Sequence, residues 1–306
     1  MLGMPSLKMS KLKTILIPLL ILLLLVGCSP KPSPTLPADT LLSTPSAVPQ
    51  STPSPSPALN TLTVHFIDVG QGDSILIDLG DVEILIDGGD RSPGAVNYIS
   101  AYVDGALETM VATHPHADHI GGLIAILDRF EVKEIWLNGD TSTSKTLSDF
   151  TNLVNAENAT IHEAERGKSI QVGVLTFVIL HPTKPLGPDT NNNSIVLSLS
   201  YGEIDFLFMG DAERQAESSM LNLISDVEIL KVGHHGSRSS SSPDFLNLAK
   251  PEVAIYSAGV GNSYGHPHNE TLDALNAIGA KIYGTDTSGT IRIATEGKTY
   301  SVQTTK

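Results

Sequence analysis

The segment His114-Pro115-His116-Ala117-Asp118-His119 places four metal-ligating side chains within six residues. An apolar run, Met110-Val111-Ala112, leads into it through Thr113, and a second, Ile120-Gly121-Gly122-Leu123-Ile124, follows. Alternate residues of an extended segment point the same way, so His114 and His116 can grip one cation. Asp118 and His119, at the turn into a helix, can grip another. Imidazole nitrogen and carboxylate oxygen without thiolate suit Zn²⁺ or Mn²⁺ and do not separate the two. Two such ions side by side activate water and stabilise charge on the centre attacked.

Four further segments carry polar residues at the ends of apolar runs. Asp87, in Ile84-Leu85-Ile86-Asp87-Gly88-Gly89, could orient a ligand histidine through its second ring nitrogen. Asp211, in Phe206-Leu207-Phe208-Met209-Gly210-Asp211, has two oxygens with which to bridge two ions, or could cap a helix beginning at Ala212-Glu213. The run Ile229-Leu230-Lys231-Val232 ends in Gly233-His234-His235-Gly236-Ser237. Neighbouring side chains there diverge, so one histidine can ligate while the other faces substrate. In Asn262-Ser263-Tyr264-Gly265-His266-Pro267-His268, the histidines could donate to an oxyanion or leaving group, or be incidental to a turn. His65, His162 and His181 have no comparable context and are assigned to structure.

These segments need elements to hold them. Short β-branched runs predict strands at 63–68, 74–78, 83–87, 109–113, 134–137, 174–180, 194–201, 204–209, 227–232, 253–257 and 281–283. Helices are expected at 95–103, 120–130, 146–155, 212–223, 243–248 and 270–278. Turns fall at Leu79-Gly80-Asp81, Tyr201-Gly202-Glu203 and Ser288-Gly289. In each half strands lead and helices follow, which suits an α/β fold of two packed sheets with helices outside.

The first 60 residues read differently. Lys8, Lys11 and Lys13 precede an apolar run from Ile15 to Val26, too short to span a bilayer comfortably, as in a secretory signal. It ends in Leu25-Val26-Gly27-Cys28, similar to a bacterial lipobox, so residues 1–27 are expected to be cleaved and Cys28 lipidated. Cys28 is the only cysteine, which excludes a disulfide within one chain. Residues 28–60 are rich in Pro, Ser and Thr and predict a disordered, extended stalk. Residues 61–306 are then one extracytoplasmic domain tethered to the membrane. The formal charge of −14 argues against binding nucleic acid through a basic surface. Two divalent cations would still put positive charge where an anionic substrate reacts.

The His-x-His-x-Asp-His cluster, the preceding Asp-Gly-Gly and the later Gly-Asp resemble the metallo-β-lactamase-fold hydrolase superfamily. More narrowly, Asp68-Val69-Gly70-Gln71-Gly72-Asp73-Ser74, Asn192-Asn193-Ser194, Lys231 to Ser237 and Tyr264-Gly265-His266-Pro267 resemble the extracellular hydrolase domain of the ComEC/Rec2 competence proteins. The likeness runs from about Leu62 to Ile293, without the polytopic channel part of those proteins. It implies a four-layer αββα sandwich and two metal ions. His114 and His116 would hold the first ion, Asp118 and His119 the second, with Asp211 between them and one of His234 and His235, preferably His235, completing the second. His234 would then contact phosphate. Most members supply another histidine to the first ion where this chain reads Asn191-Asn192-Asn193-Ser194. The implied activity is metal-dependent hydrolysis of a phosphodiester, with DNA among the substrates. Asp118 or Asp211 would orient the attacking hydroxide, and His234, Ser237, Arg238 and His266 are candidate donors. Cleavage of phosphorylcholine esters on cell-wall polymers, and a non-catalytic accessory to DNA uptake, are the alternatives. A β-lactamase is disfavoured by the missing histidine.

Overall fold

The computed structural model describes residues 60–141 and 143–306; the expected signal peptide and most of the stalk lie outside the described residues. The chain begins with β1 (Leu62–Phe66), β2 (Ile75–Asp78) and β3 (Glu83–Ile86), followed by α1 (Gly94–Ile99), β4 (Leu107–Ala112) and α2 (Ala117–Leu127). β5 (Val132–Leu137), α3 (Lys145–Ala156) and β6 (Thr160–Glu163) complete this half. A second series holds β7 (Ser169–Val172), β8 (Leu175–His181), β9 (Val196–Tyr201), β10 (Ile204–Phe208), α4 (Arg214–Met220), β11 (Ile229–Lys231) and α5 (Pro243–Ala249). It closes with β12 (Val253–Tyr256), α6 (Asn269–Ala277), β13 (Lys281–Gly284) and α7 (Thr285–Ser288), before β14 (Ile291–Thr295) and β15 (Tyr300–Thr304).

Two sheets result, ordered β15-β14-β1-β2-β3-β4-β5-β6 and β13-β12-β11-β10-β9-β8-β7. Side chains alternate faces along a strand, and the apolar residues sort accordingly. Ile75, Ile77, Ile84, Ile86, Phe206 and Phe208 meet between the sheets. Leu76, Leu85 and Met110 face the other way, onto Ile99 of α1, Leu123 of α2 and Phe150 of α3. Leu207 and Leu230 pack on Met220, Phe245 and Leu275 of the opposite helical layer. The architecture is the expected four-layer αββα sandwich.

Four strands were not anticipated, and three of them, β6, β7 and β15, are sheet edges. β6 and β15 are largely exposed and polar, because an edge strand has little to bury. β14 alternates buried and half-buried residues and pairs antiparallel with β1, which returns the C-terminus to the first sheet. The expected helix over 212–223 is shorter, running Arg214–Met220 before a separate 3₁₀ turn at Leu221–Leu223.

Strands β3 to β6 run parallel, as do β10 to β13. Their carboxyl ends are where loops can converge on a ligand. Gly210 lets the two sheets meet there, since a Cβ on it would sit 3.2 Å from both Ser194 and Thr113 side chains.

Candidate metal centre

Each chemical segment leaves the carboxyl end of a strand: Asp87 after β3, Thr113 to His116 after β4, Asp211 after β10, and His234 and His235 after β11. Helix α2 begins at Ala117, three residues earlier than its apolar pattern predicts, so Asp118 and His119 occupy its first turn. The approach of α2 to the β3 loop is close. A Cβ on Gly122 would lie 1.9 Å from the Gly88 carbonyl oxygen, which only glycine tolerates. That approach brings His119 to Asp87. Asp87 accepts hydrogen bonds from Thr113 N at 2.8 Å and Thr113 Oγ1 at 2.6 Å. His119 Nδ1 donates to the same carboxylate at 2.8 Å. Asp87 is therefore occupied by donors, and it holds the His119 ring so that Nε2 faces inward.

Two donor sets meet at Asp211. In the first, His114 Nε2 lies 3.0 Å from His116 Nδ1 and 3.6 Å from Asp211 Oδ2. In the second, His235 Nε2 lies 3.3 Å from both His119 Nε2 and Asp118 Oδ2. Asp211 Oδ1 is 3.2 Å from His119 Nε2 and 3.5 Å from His235 Nε2. The ligand atoms of each set, His114/His116/Asp211 and Asp118/His119/His235, fall within 4.8 Å of one another. A tetrahedral ion with bonds of ~2.0–2.1 Å separates its ligand atoms by about 3.3 Å. The observed spacings suit such ions. Asp211 Oδ1 also lacks a well-aligned hydrogen-bond donor although it is buried, and a buried anionic oxygen in that condition calls for a cation. The donor chemistry and the spacing fit two divalent ions.

Asp211 is not a helix cap; Glu213 occupies the N-cap position of α4. His234 and His235 diverge because both take left-handed backbone angles, φ 46° and 54°, a conformation that strains non-glycine residues and gathers at functional sites. The His235 ring is buried and turned into the second donor set. His234 stands beside it, with Nε2 3.7 Å from Asp211 Oδ2 and Nδ1 2.8 Å from Glu213 Oε1. His266 stacks edge-on to His234 at 5.3 Å between centroids. Asp118, His234 and His266 all line a cavity of about 530 Å³, together with His116, Asp211 and His235.

The asparagines at 191–193, where the superfamily resemblance implies a histidine, do other work. Asn192 Oδ1 accepts from Glu213 N at 3.3 Å and Ala216 N at 3.0 Å, pinning the start of α4. Asp211 N donates to Ser194 Oγ at 3.1 Å, and Asn191 alone of the three asparagines reaches the cavity. Ser237 and Arg238, expected as donors, lie outside the cavity lining; Arg238 instead pairs with Glu270 at 3.1 Å. His65, His162 and His181 are engaged elsewhere: against Tyr98 at 2.9 Å, stacked on Trp136 at 4.4 Å, and bonded to the Asn192 carbonyl at 2.7 Å.

The electrostatics favour ionised carboxylates. Burial opposes charge on Asp211, yet His235, His119 and His114 around it hold it well below the usual carboxylate range. Asp118 is likewise lowered against its burial, by the His235 contact and by His119. Burial pushes His114 down, with His119 adding to the effect. His266 is pushed to about 4 by burial and by its neighbours His235, His234 and His268, so it is neutral near pH 7.

Three residues behind the cavity histidines were not expected to brace them. Lys231 is fully buried and pairs with Asp73 at 2.6 Å. Asp73 Oδ1 in turn lies 3.2 Å from His235 Nδ1, which donates to the Ser257 carbonyl at 3.0 Å. A lysine inside the apolar run Ile229-Leu230-Lys231-Val232 was the available signal, since a buried ammonium requires a carboxylate partner. For Glu213, behind His234, no local signal exists.

A Metallo-beta-lactamase superfamily signature matches residues 67–260. The chain belongs to that superfamily. Its members are generally metal-dependent hydrolases, and the His/Asp clusters described above suit divalent metals. Among relatives of the superfamily, ComE operon protein 3 of Bacillus subtilis is 30% identical over 251 residues, covering 75% of this chain and 32% of that protein. Recombination protein 2 of Haemophilus influenzae is 28% identical over 239 residues, covering 76% and 29%. The chain thus spans about a third of the length of these relatives. The metallo-beta-lactamase fold protein YhfI of Bacillus subtilis superposes with a TM-score of 0.55 at 14% identity, over 77% of this chain and 100% of that one. That protein shares the fold.

Proposed function

We propose that this chain is a metal-dependent phosphodiesterase held outside the cytoplasmic membrane by lipidated Cys28. The observation that carries the catalytic half is the pair of donor sets, His114/His116/Asp211 and Asp118/His119/His235, with Asp211 Oδ1 within 3.5 Å of the second and both sets reaching one cavity. When bound, two divalent cations supply Lewis-acid polarisation of a phosphoryl group and lower the pKa of water. His114, His116 and Asp211 would hold one ion, and Asp118, His119, His235 and Asp211 the other. Asp118 and Asp211 are the only carboxylates in these two donor sets, so two bound dications would put an excess of positive charge in the ligand shell, which suits an anionic phosphodiester. Asp118, less buried than Asp211, is held ionised and orients the attacking water. His234, braced through Nδ1 by Glu213, presents Nε2 to a phosphoryl oxygen, and His266 supplies a hydrogen bond to the leaving oxygen. The likeness to competence proteins supports DNA as one substrate class.

Purified full-length protein, with metal content measured first, is assayed with Zn²⁺ and with Mn²⁺. The substrates are single- and double-stranded DNA, bis-p-nitrophenyl phosphate, p-nitrophenyl phosphorylcholine and a chromogenic cephalosporin. Cleavage of the phosphodiesters is expected, with Asp118→Ala lowering the rate by about 100-fold or more. Protein that holds no metal, with Asp118→Ala changing none of the rates, defeats the proposal. Hydrolysis of the phosphorylcholine ester with DNA untouched reassigns the enzyme to wall polymers.

A further inference from the structure

The rim of the cavity holds a side chain that the hydrolytic chemistry does not use. Tyr264 lines the cavity and is 64% exposed. Its ring lies 20° from parallel to His266, with centroids 5.7 Å apart, so one side is backed by an imidazole and much of the rest faces solvent. The loop carrying it is braced from inside. Asn262 Nδ2 donates to the carbonyls of Gly259 at 2.9 Å and His266 at 2.5 Å. Its Oδ1 accepts from Tyr264 N at 3.2 Å and His266 N at 3.0 Å. A large ring held in water by a pre-ordered loop is a binding surface prepared in advance.

The same loop is tied to Gln71, whose Oε1 accepts from Gly259 N at 3.2 Å. Gln71 Nε2 is buried without a hydrogen-bond partner, and Gln71 lines the cavity. Such a donor awaits an acceptor. No lysine or arginine lines the cavity among the described residues, so ligand oxygens beyond the phosphate meet neutral donors there rather than a lysine or arginine charge. A flat ring bearing carbonyl oxygens meets both needs. A quaternary ammonium could approach the Tyr264 face but offers Gln71 no acceptor.

We propose that Tyr264 is a stacking platform for the nucleobase of a nucleotidyl phosphodiester, with Gln71 as a donor to the base. This rests on the phosphodiesterase reading and names its substrate class as nucleotide. The test is calorimetric titration of metal-supplied full-length protein with thymidine 5′-monophosphate, deoxyribose 5-phosphate and phosphorylcholine. Wild-type protein should bind the nucleotide about tenfold more tightly than the sugar phosphate, the scale of one base–aromatic stack. Tyr264→Ala should erase that preference while leaving sugar-phosphate affinity in place, and Tyr264→Phe should keep it. Equal affinities in the wild type, or a preference that survives Tyr264→Ala, would overturn the proposal. So would a preference for phosphorylcholine that Tyr264→Ala abolishes. Because binding is read without turnover, a protein that prefers the nucleotide but hydrolyses no phosphodiester refutes the catalytic reading and leaves the platform standing.

Discussion

At the scale of single residues, the centre works through pairs in which one side chain fixes another. Asp87 orients His119, Glu213 orients His234, and Asp73 faces His235 with Lys231 behind it. Asp87 and Glu213 set which ring nitrogen of His119 and His234 looks inward, the Ser257 carbonyl does so for His235, and metal ligands depend on such partners. The Lys231–Asp73 pair sets an ammonium against a carboxylate in the buried interior. Burial opposes the Asp73 charge, but Lys231 and His235 bring the carboxyl down to about 2. Lys231→Met leaves that carboxylate alone and should lower unfolding free energy by about 3–5 kcal/mol, while weakening metal uptake about 10–100-fold. Adding Asp73→Asn should restore much of the stability but not the metal affinity. Urea unfolding and chelator competition read the two effects separately; a double variant regaining full metal affinity would show that the pair is only structural.

At the scale of elements, the parallel strands that deliver the ligands start as informatively as they end. Glu83 opens β3, lies 2% exposed, and sits next to Glu108 of β4, which also takes Lys133 of β5 at 2.9 Å. Burial, then the nearby Glu108, Asp104, Asp78 and Asp81, push the Glu83 carboxyl up to about 7. The folded protein therefore holds a proton there that the unfolded chain releases near pH 4.5. Stability from this group is complete below pH 4.5 and lost as pH rises through 7. Glu83→Gln should accordingly match wild type at pH 4 and melt several degrees higher at pH 8. Scanning calorimetry at both pH values checks it, and a gap that does not widen with pH would refute the assignment. Elements also divide by how well their sequences announce them. The central strands carry their apolar runs plainly, whereas β6, β7 and β15 border only one strand each and keep polar residues. Their pairing comes from the neighbour, not from their own pattern.

At the scale of the whole molecule, the N-terminal segment and the metal centre make separate demands. The proposed tether needs only Cys28 and the apolar run before it, and the sandwich is built from residues 60 onward. Cys28→Ser is expected to abolish lipid labelling of the chain while leaving its rate on phosphodiester substrates unchanged. Labelling cells with a radioactive fatty acid, with a parallel rate assay, tests this, and a variant that still takes up the label would defeat the assignment of Cys28. The formal charge of −14 bears on the same scale, since an acidic surface gives a long polyanion little purchase outside the metal centre.

Local chemistry was legible in the chain itself. His114, His116, Asp118 and His119 lie within six residues, and the runs ending at Asp87, Asp211 and His235 reveal apolar strands stopping at polar groups. Strands leading and helices following in each half suited two packed sheets with helices outside, and the family resemblance implied the four-layer sandwich. Distance in sequence hid the rest. His119 and His235 are 116 positions apart, and Gln71 and Gly259 are 188 apart. Only the packing of two sheets against each other sets which ring nitrogen faces Asp211, which histidine of 234–235 turns inward, and why Lys231 can be buried. Those choices depend on backbone angles and partners that no neighbouring residue dictates.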